Sequence, residues 1–226
     1  MRNIAVVLMI AAISGCASSR GVSQEQVSEA DMGRLKPDEM AMVDQARQFR
    51  ASAVDEQARA TLGLQDAKHE LALAEADRKD ADAEAQRAEA RTKIASDSRE
   101  PALLEQAREL TEQARLHKGS ADARLDYAQK LIDARKAGLK AAEKQVALGD
   151  ARVERSKLQA MQQANVPASS KYDAARLEGR VNDSQKSFEE ALQKARDLDG
   201  QATAAQRSWR DLQRRFQAKR GAAPTG

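Results

Sequence analysis

Residues 46–95 read ARQFRASAVDEQARATLGLQDAKHELALAEADRKDADAEAQRAEARTKIA, and an alanine recurs at every seventh position of this stretch. A period of seven that is sustained over so many turns predicts an α-helix whose alanine row forms a coiled-coil seam. Alanine buries little area, so each contact stabilises weakly and the length of the helix compensates. The eight positions are Ala46, Ala53, Ala60, Ala67, Ala74, Ala81, Ala88 and Ala95.

Two interruptions divide the chain that follows residue 36. Residues 96–101 (SDSREP) and 165–170 (NVPASS) combine capping and turn residues with a proline that suits a first helical turn. Segments of similar length joined by short loops favour antiparallel neighbours. The sequence therefore predicts an all-α fold, a long antiparallel helical coiled coil arranged as an up-down-up three-helix rod. Open hairpins or single helices that oligomerise are the alternative. The predicted helices cover residues 37–96, 101–164 and 168–218.

The apolar stripe of the second segment slips by one residue near Lys118-Gly119-Ser120. Such a slip indicates either a local change of supercoil in one helix or a break, with glycine ending one helix and serine starting the next. We favour the continuous helix.

The composition argues against an enzyme core. Aromatic residues make up only 3% of the chain, and 38 Lys and Arg are interspersed with 35 Asp and Glu, which is typical of a solvated surface rather than a nucleic-acid footprint. His69 and His117 lie on different predicted helices without a metal-ligand pattern. We predict no catalytic residue, metal, cofactor, nucleic acid or small-molecule substrate, and we interpret His117 as a packed seam residue.

The first sixteen residues, MRNIAVVLMIAAISGC, have the layout of a secretory signal. One early cation, Arg2, precedes an apolar run from Ile4 to Ile13 that is too short to span a bilayer. Small residues then lead into the only cysteine of the chain, which has no partner for an internal disulfide.

Ile13, Ser14, Gly15 and Cys16 resemble the lipobox of bacterial lipoprotein precursors. The resemblance implies that residues 1–15 are removed as a signal peptide and that Cys16 carries a diacylglyceryl thioether. Two or three acyl chains on one cysteine make a lasting membrane anchor, whereas a single chain holds only marginally. An ordinary secreted protein with an incidental cysteine, or a short membrane anchor, is the alternative.

Residues 16–36 are polar, contain two glycines and show no sustained apolar period, so we predict a flexible tether there. We also predict a disordered tail over residues 219–226. In enterobacterial lipoproteins an Asp directly after the acylated cysteine favours retention in the inner membrane. Because Ala17 occupies that position here, the resemblance implies anchoring in the outer membrane, with the body on the periplasmic side.

Residues 207–220, RSWRDLQRRFQAKR, concentrate positive charge around Trp209 and Phe216. One interpretation is a basic amphipathic contact patch for anionic lipid, an anionic envelope polymer or an acidic partner. The other, which we favour, is a helix end whose cations complement the helix dipole while both aromatic side chains pack in the seam. The basic residues are Arg207, Arg210, Arg214, Arg215, Lys219 and Arg220.

Residues 141–150, AAEKQVALGD, are loosely similar to a repeat phrase in Ala-rich helical outer-membrane lipoproteins of unknown function. This resemblance implies a helical envelope lipoprotein without known catalysis. We therefore predict a lipid-anchored structural spacer, scaffold or assembly accessory that meets an envelope protein through its helix surface. The alternatives are a docking subunit of an envelope transport or secretion complex and an accessory to an envelope hydrolase. Self-association is also open. Unpaired apolar residues on a helix face would indicate docking, and a fully charged exterior would indicate a spacer.

Overall fold

The computed structural model describes residues 26–221, and every regular element in that range is helical. The predicted all-α fold with three long helices is confirmed. The long helix α3 packs along both α2 and α4, whereas α2 and α4 scarcely touch each other. The elements are α1 (Glu29–Met32), α2 (Ala41–Ser98), α3 (Pro101–Gln163), a 3-10 turn (Pro167–Lys171) and α4 (Ala174–Gly221).

The alanine row of α2 forms its contact with α3. Seven of the eight alanines are buried, and only Ala60 is half-buried. Ion pairs and a hydroxyl contact join the two helices beside this row, and residue numbers fall along α3 as they rise along α2. These contacts are Arg50 to Asp150, Arg78 to Asp122 (3.0 Å) and Thr92 to Thr111 (3.1 Å).

Gly149 lies at a close approach of the α2 and α3 backbones. A Cβ atom at this position would lie 3.0 Å from the Cα of Arg50, closer than carbon atoms normally pack. Glycine is therefore needed at this position because a side chain would collide with the α2 backbone, and not because of its own backbone conformation. The Ala-rich seam of α2 makes such an approach sterically accessible.

We expect Gly149→Leu to lower the free energy of unfolding by about 1–3 kcal/mol, because the new side chain forces the two backbones apart. Urea unfolding followed by far-ultraviolet circular dichroism measures the change. Gly119→Leu is the matched control, since a Cβ at Gly119 meets nothing within 4 Å. Leucine there should stabilise the helix by roughly 0.7 kcal/mol. Equal stability of the two variants would contradict a close approach at Gly149.

Aromatic and polar contacts join α3 to α4. The rings of Tyr127 and Trp209 stack with centroids 5.6 Å apart, and His117 stacks on Phe216 at 4.6 Å. Here too the numbers along one helix fall as those along the other rise. The prediction of one continuous helix through Gly119 is confirmed, because α3 runs without a break from Pro101 to Gln163.

The two connections between the long helices contain residues in the left-handed region. Arg99, at the end of α2, has φ 58°, and Asn165, after α3, has φ 54°. Both lie in the interruptions predicted from sequence. Asn tolerates this conformation through its short polar side chain, whereas Arg99 is held there by a connection of only two residues between α2 and α3.

Three predicted boundaries were wrong. The helix expected from residue 37 begins at Ala41, because residues 36–40 form a turn in which Glu39 accepts a hydrogen bond from the Lys36 N–H (2.7 Å). The helix expected from residue 168 begins at Ala174, after the 3-10 turn and a cap by Asp173, which accepts from the Arg176 N–H (3.1 Å). Helix α4 continues to Gly221, into the segment predicted as a disordered tail.

The predicted flexible tether is also wrong over residues 26–36. Val27, just before α1, and Met32, its last residue, are 2% and 4% exposed. Both side chains enter an apolar cluster with Leu158, Met161 and Leu177. Burial of two large apolar side chains offsets the entropy of ordering this short polar stretch.

Candidate functional site

A group of charged contacts, which we call the clamp, fixes the N-terminal segment to the end of α3. The N–H of Val27 donates to Oε2 of Glu154 (2.6 Å). Lys157 donates to Oε1 of the same carboxylate (3.0 Å) and to Glu29 (2.8 Å). Lys157 is buried, with only 7% of its surface exposed, so its charge depends on these two carboxylates.

A second set of contacts holds α1 against the loop between α3 and α4. The Tyr172 hydroxyl donates to Asp31 (2.7 Å) and accepts from the Ser28 N–H (3.1 Å). Lys171 forms an ion pair with the same aspartate at 3.4 Å. Arg47 of α2 reaches Glu29 at 3.1 Å. The first described residues of the chain are therefore held at a defined place, beside the end of α3 and the start of α4.

The clamp shifts the pKa values of its own members. Hydrogen bonding by Lys157 holds the pKa of Glu29 below its ordinary 4.5, assisted by the charges of Lys157 and Arg47 against the opposing effect of burial. Burial acts to lower the pKa of Lys157, but hydrogen bonds and attraction from Glu29 and Glu154 outweigh it and raise that pKa above 10.5. Both groups are therefore charged at neutral pH.

An open trough runs between α2 and α4, with α3 as its floor. It follows from the packing, because the two outer helices contact α3 but scarcely each other. Three cavities lie in it, with volumes of about 520, 640 and 530 Å³. Each is lined by residues of all three helices. Phe188, Trp209 and Phe216 of α4 line them in that order.

Three large apolar side chains are exposed on α2, and two of them lie on its trough side. Leu62, Leu73 and Ile94 are 60%, 57% and 66% exposed. Leu73 and Ile94 follow the trough-lining residues Asp66 and Arg87 by one heptad each, so they lie on the same side of the helix. The exterior of α2 therefore includes large apolar side chains without a packing partner in the described range.

Three guanidinium groups surround the cavity at the end of the trough near Phe216. Arg87 and Arg91 come from α2, and Arg220 comes from α4. No carboxylate within residues 26–221 forms an ion pair with any of the three. Leu110, Ala114 and Phe216 supply the apolar wall. Glu84 of α2 also lines this cavity and contacts His117, so this end of the trough combines an apolar surface with three guanidinium groups and one carboxylate.

The predicted basic residues differ in their contacts. Arg207, Arg210 and Arg214 are exposed and follow one another at spacings of three and four residues, so they share one face of α4. Arg214 and Arg215 both pair with Asp211, at 3.1 and 2.9 Å. Arg220 borders the trough cavity, and Lys219 is half-buried. Trp209 and Phe216 pack on α3, as the seam interpretation predicted.

His117 lies between the helices with 14% of its side chain exposed. Its Nδ1 is 2.7 Å from Glu84, its Nε2 is 3.5 Å from Asp77, and its ring stacks on Phe216. The predicted packed seam residue is therefore observed. Within the described part of the chain, no group of three or more His, Cys, Asp or Glu side chains is arranged to hold a metal ion. Across residues 26–221, no helix has the length and apolarity that crossing a bilayer requires.

The predicted lipidation site lies outside the described residues. This applies to Cys16 and to Ile13, Ser14 and Gly15 before it, as well as to residues 222–226 of the predicted tail. These predictions are carried by the sequence alone.

Comparison with known proteins gives no relative for this chain. No protein-family model matches it, and neither a curated protein nor a solved structure is significantly similar to it.

Sequence reasoning missed both the clamp and the trough. Val27 and Met32 stand in a polar stretch without periodicity, so nothing in the local sequence marks them as buried. One signal was present for the trough: Leu62, Leu73 and Ile94 fall outside the alanine row. A large apolar residue off the seam of a coiled-coil helix indicates a second contact face.

Proposed function

We propose that this protein is a lipid-anchored, non-catalytic scaffold of the bacterial envelope. Acyl chains on Cys16 hold it in the outer membrane, and the helical body extends from the periplasmic side as a spacer or assembly accessory. The observation that carries the proposal is the lipobox-like Ile13-Ser14-Gly15-Cys16 ahead of a body of long helices. The clamp supports it, because it ties the anchored end of the chain to one end of those helices.

The proposal includes an up-down-up order of the three long helices in one rod. Contacts between α2 and α3 support it, since Arg50 lies by Asp150 and Arg78 by Asp122. Between α3 and α4 the support is similar, since Arg155 pairs with Glu178 and Arg135 with Asp199 (3.8 Å). A helix the length of α3 spans about 95 Å.

A docking role in an envelope transport or secretion complex is the second candidate function. The exposed Leu62, Leu73 and Ile94 of α2 favour it over a passive spacer, because a spacer needs no apolar exterior. The two roles are compatible, since a scaffold acts by holding a partner at a set distance from the membrane.

We expect Cys16→Ala to abolish acylation and, with it, anchoring in the outer membrane. Membrane fractionation of whole cells and the intact mass of the purified chain measure the two effects. The wild-type chain should lack residues 1–15 and carry the mass of its acyl chains, whereas the variant should be neither acylated nor cut before residue 16.

Ser18→Ala is the matched control, a small change two residues from the cysteine that leaves the lipobox intact. It should fractionate as the wild-type chain does. A Cys16→Ala variant that remained in the membrane at the wild-type mature mass would overturn the proposed anchor.

A further inference from the structure

The trough has the shape of a helix-binding groove. Helices α2 and α4 form its walls and α3 forms its floor. This arrangement resembles a four-helix bundle from which one helix is missing. Helices that dock in such grooves place apolar side chains at intervals of three and four residues. Phe188, Trp209 and Phe216 are separated by three heptads and one heptad along α4, so all three lie on the face of that helix that lines the trough.

The charges in the trough are unequal along its length. At the middle cavity, Arg135 is paired with Asp199, and Glu70 with Arg124. At the Phe216 cavity, Arg87, Arg91 and Arg220 have no carboxylate partner in the described range. Glu84 lines the same cavity but contacts His117, so positive charge remains in excess and a ligand with acidic groups and an apolar surface complements this end.

The position of the basic end argues against the anchoring membrane as its ligand. Ala114, in the Phe216 cavity, is about 60 Å along α3 from Glu154 of the clamp. The ten Cα–Cα steps from Cys16 to Gln26 cover at most about 35 Å when fully extended. If the helices stand upright on the membrane, this cavity is therefore out of reach of the lipid that Cys16 enters.

We infer that the trough docks an amphipathic helix of a partner protein, with acidic residues of that helix at Arg87, Arg91 and Arg220. This inference deepens the proposed scaffold role and rests on it, because it names the kind of partner the scaffold holds. The apolar stripe of the partner lies on Trp209 and Phe216 and is bordered by Leu73 of α2.

The test uses two synthetic peptides of about 20 residues, long enough for six turns. Both carry leucine at alternating three- and four-residue spacing; one has glutamate and the other lysine at the flanking positions of its C-terminal half. The full-length chain with Cys16→Ser is titrated with each. Trp209 is the only tryptophan and lines the trough, so its fluorescence reports occupancy directly.

We expect the glutamate peptide to bind at least about tenfold more tightly than the lysine peptide, and the preference to shrink as salt rises. The triple variant Arg87→Glu, Arg91→Glu and Arg220→Glu should lose that preference. A control with the same change of charge, Lys79→Glu, Lys93→Glu and Arg108→Glu, alters exposed cations that do not line these cavities and should keep it.

Equal binding of both peptides, or no saturable change in Trp209 fluorescence, would overturn the inference. So would a dimer in sedimentation equilibrium that Leu62→Glu and Leu73→Glu dissociate, because a second copy would then occupy the trough. Binding of anionic vesicles through the same three arginines would assign the site to lipid instead. The chain used here lacks the cysteine, so none of these results depends on the anchor, which the Cys16→Ala fractionation tests separately.

Discussion

Replacement of Met161 by alanine should lower the free energy of unfolding by about 2–5 kcal/mol, the largest effect we expect from a single truncation in this chain. Met161 is fully buried in the apolar cluster at the clamp end, where it packs with Leu158 and Leu177. The rest of the helix interface is built mainly from alanines, so few other side chains have as much buried surface to lose. The cavity left behind would be lined by side chains of the N-terminal segment, α3 and α4.

Urea unfolding followed by circular dichroism measures this loss. Leu73→Ala is the matched control, since it also removes a large apolar side chain from a long helix, at a site that is 57% exposed. It should change stability by less than about 0.5 kcal/mol. Similar losses for the two variants would mean that the cluster does not anchor the end of the helices.

Replacement of Lys157 by methionine should destabilise the docked N-terminal segment by about 1–3 kcal/mol. Methionine keeps much of the length and apolar stem but removes the charge that Glu154 and Glu29 share. Glu154 then remains partly buried with only the Val27 N–H as a close donor. Breaking a buried pair from one side is costly because the remaining charge loses its compensation. The expected destabilisation is smaller than for a fully buried pair, because the Glu29 side chain is 63% exposed and water can solvate its carboxylate.

Hydrogen exchange of residues 27–36 measures this release, since the segment should open without the long helices unfolding. Lys136→Met is the control; its lysine is 60% exposed and lies 3.8 Å from Asp133. Removing that surface pair should leave exchange of the segment unchanged. If the amide protons of residues 27–36 stayed protected from exchange in the Lys157→Met variant, the apolar side chains alone would hold the segment.

The pH dependence of the same exchange provides an independent check. The folded pKa of Glu29 is lowered, so its contribution is complete above the ordinary value of 4.5 and is lost as pH falls through the lower folded pKa. The folded pKa of Lys157 is raised, so its contribution is complete below 10.5 and is lost as pH rises through the higher folded pKa. Docking should therefore be constant between these limits, and the acid-side loss should weaken in Lys157→Met.

Much of the helical architecture was predictable because the relevant signals are local. The spacing of alanines from Ala46 to Ala95 is a property of one helix, and a row at that period can be buried only along one face. The same holds for the breaks near Pro101 and Pro167, where proline chemistry acts on the adjacent turn. Helix ends were less accurate, since the start of α2 depends on a turn closed by Glu39.

The candidate site was predictable only in part. The packing of Trp209 and Phe216 followed from their positions in the stripe of α4, and the structure confirms it. The residues beside Arg220 in the basic cavity could not be predicted in this way, because Arg87 and Arg91 are more than a hundred residues away along the chain. The basic cavity exists only where α2 and α4 face each other across α3.

The sequence by itself determined that this chain forms long helices with alanine-rich contact faces, and it alone carries the lipobox-like Cys16. Periodicity and short motifs suffice for both, since each acts within a few turns of the chain. Only the tertiary structure decided that residues 27–36 are docked and that α2 and α4 stand apart. A heptad stripe buries equally well in a closed or an open bundle, so the trough depends on how the two helices α2 and α4 share the surface of α3.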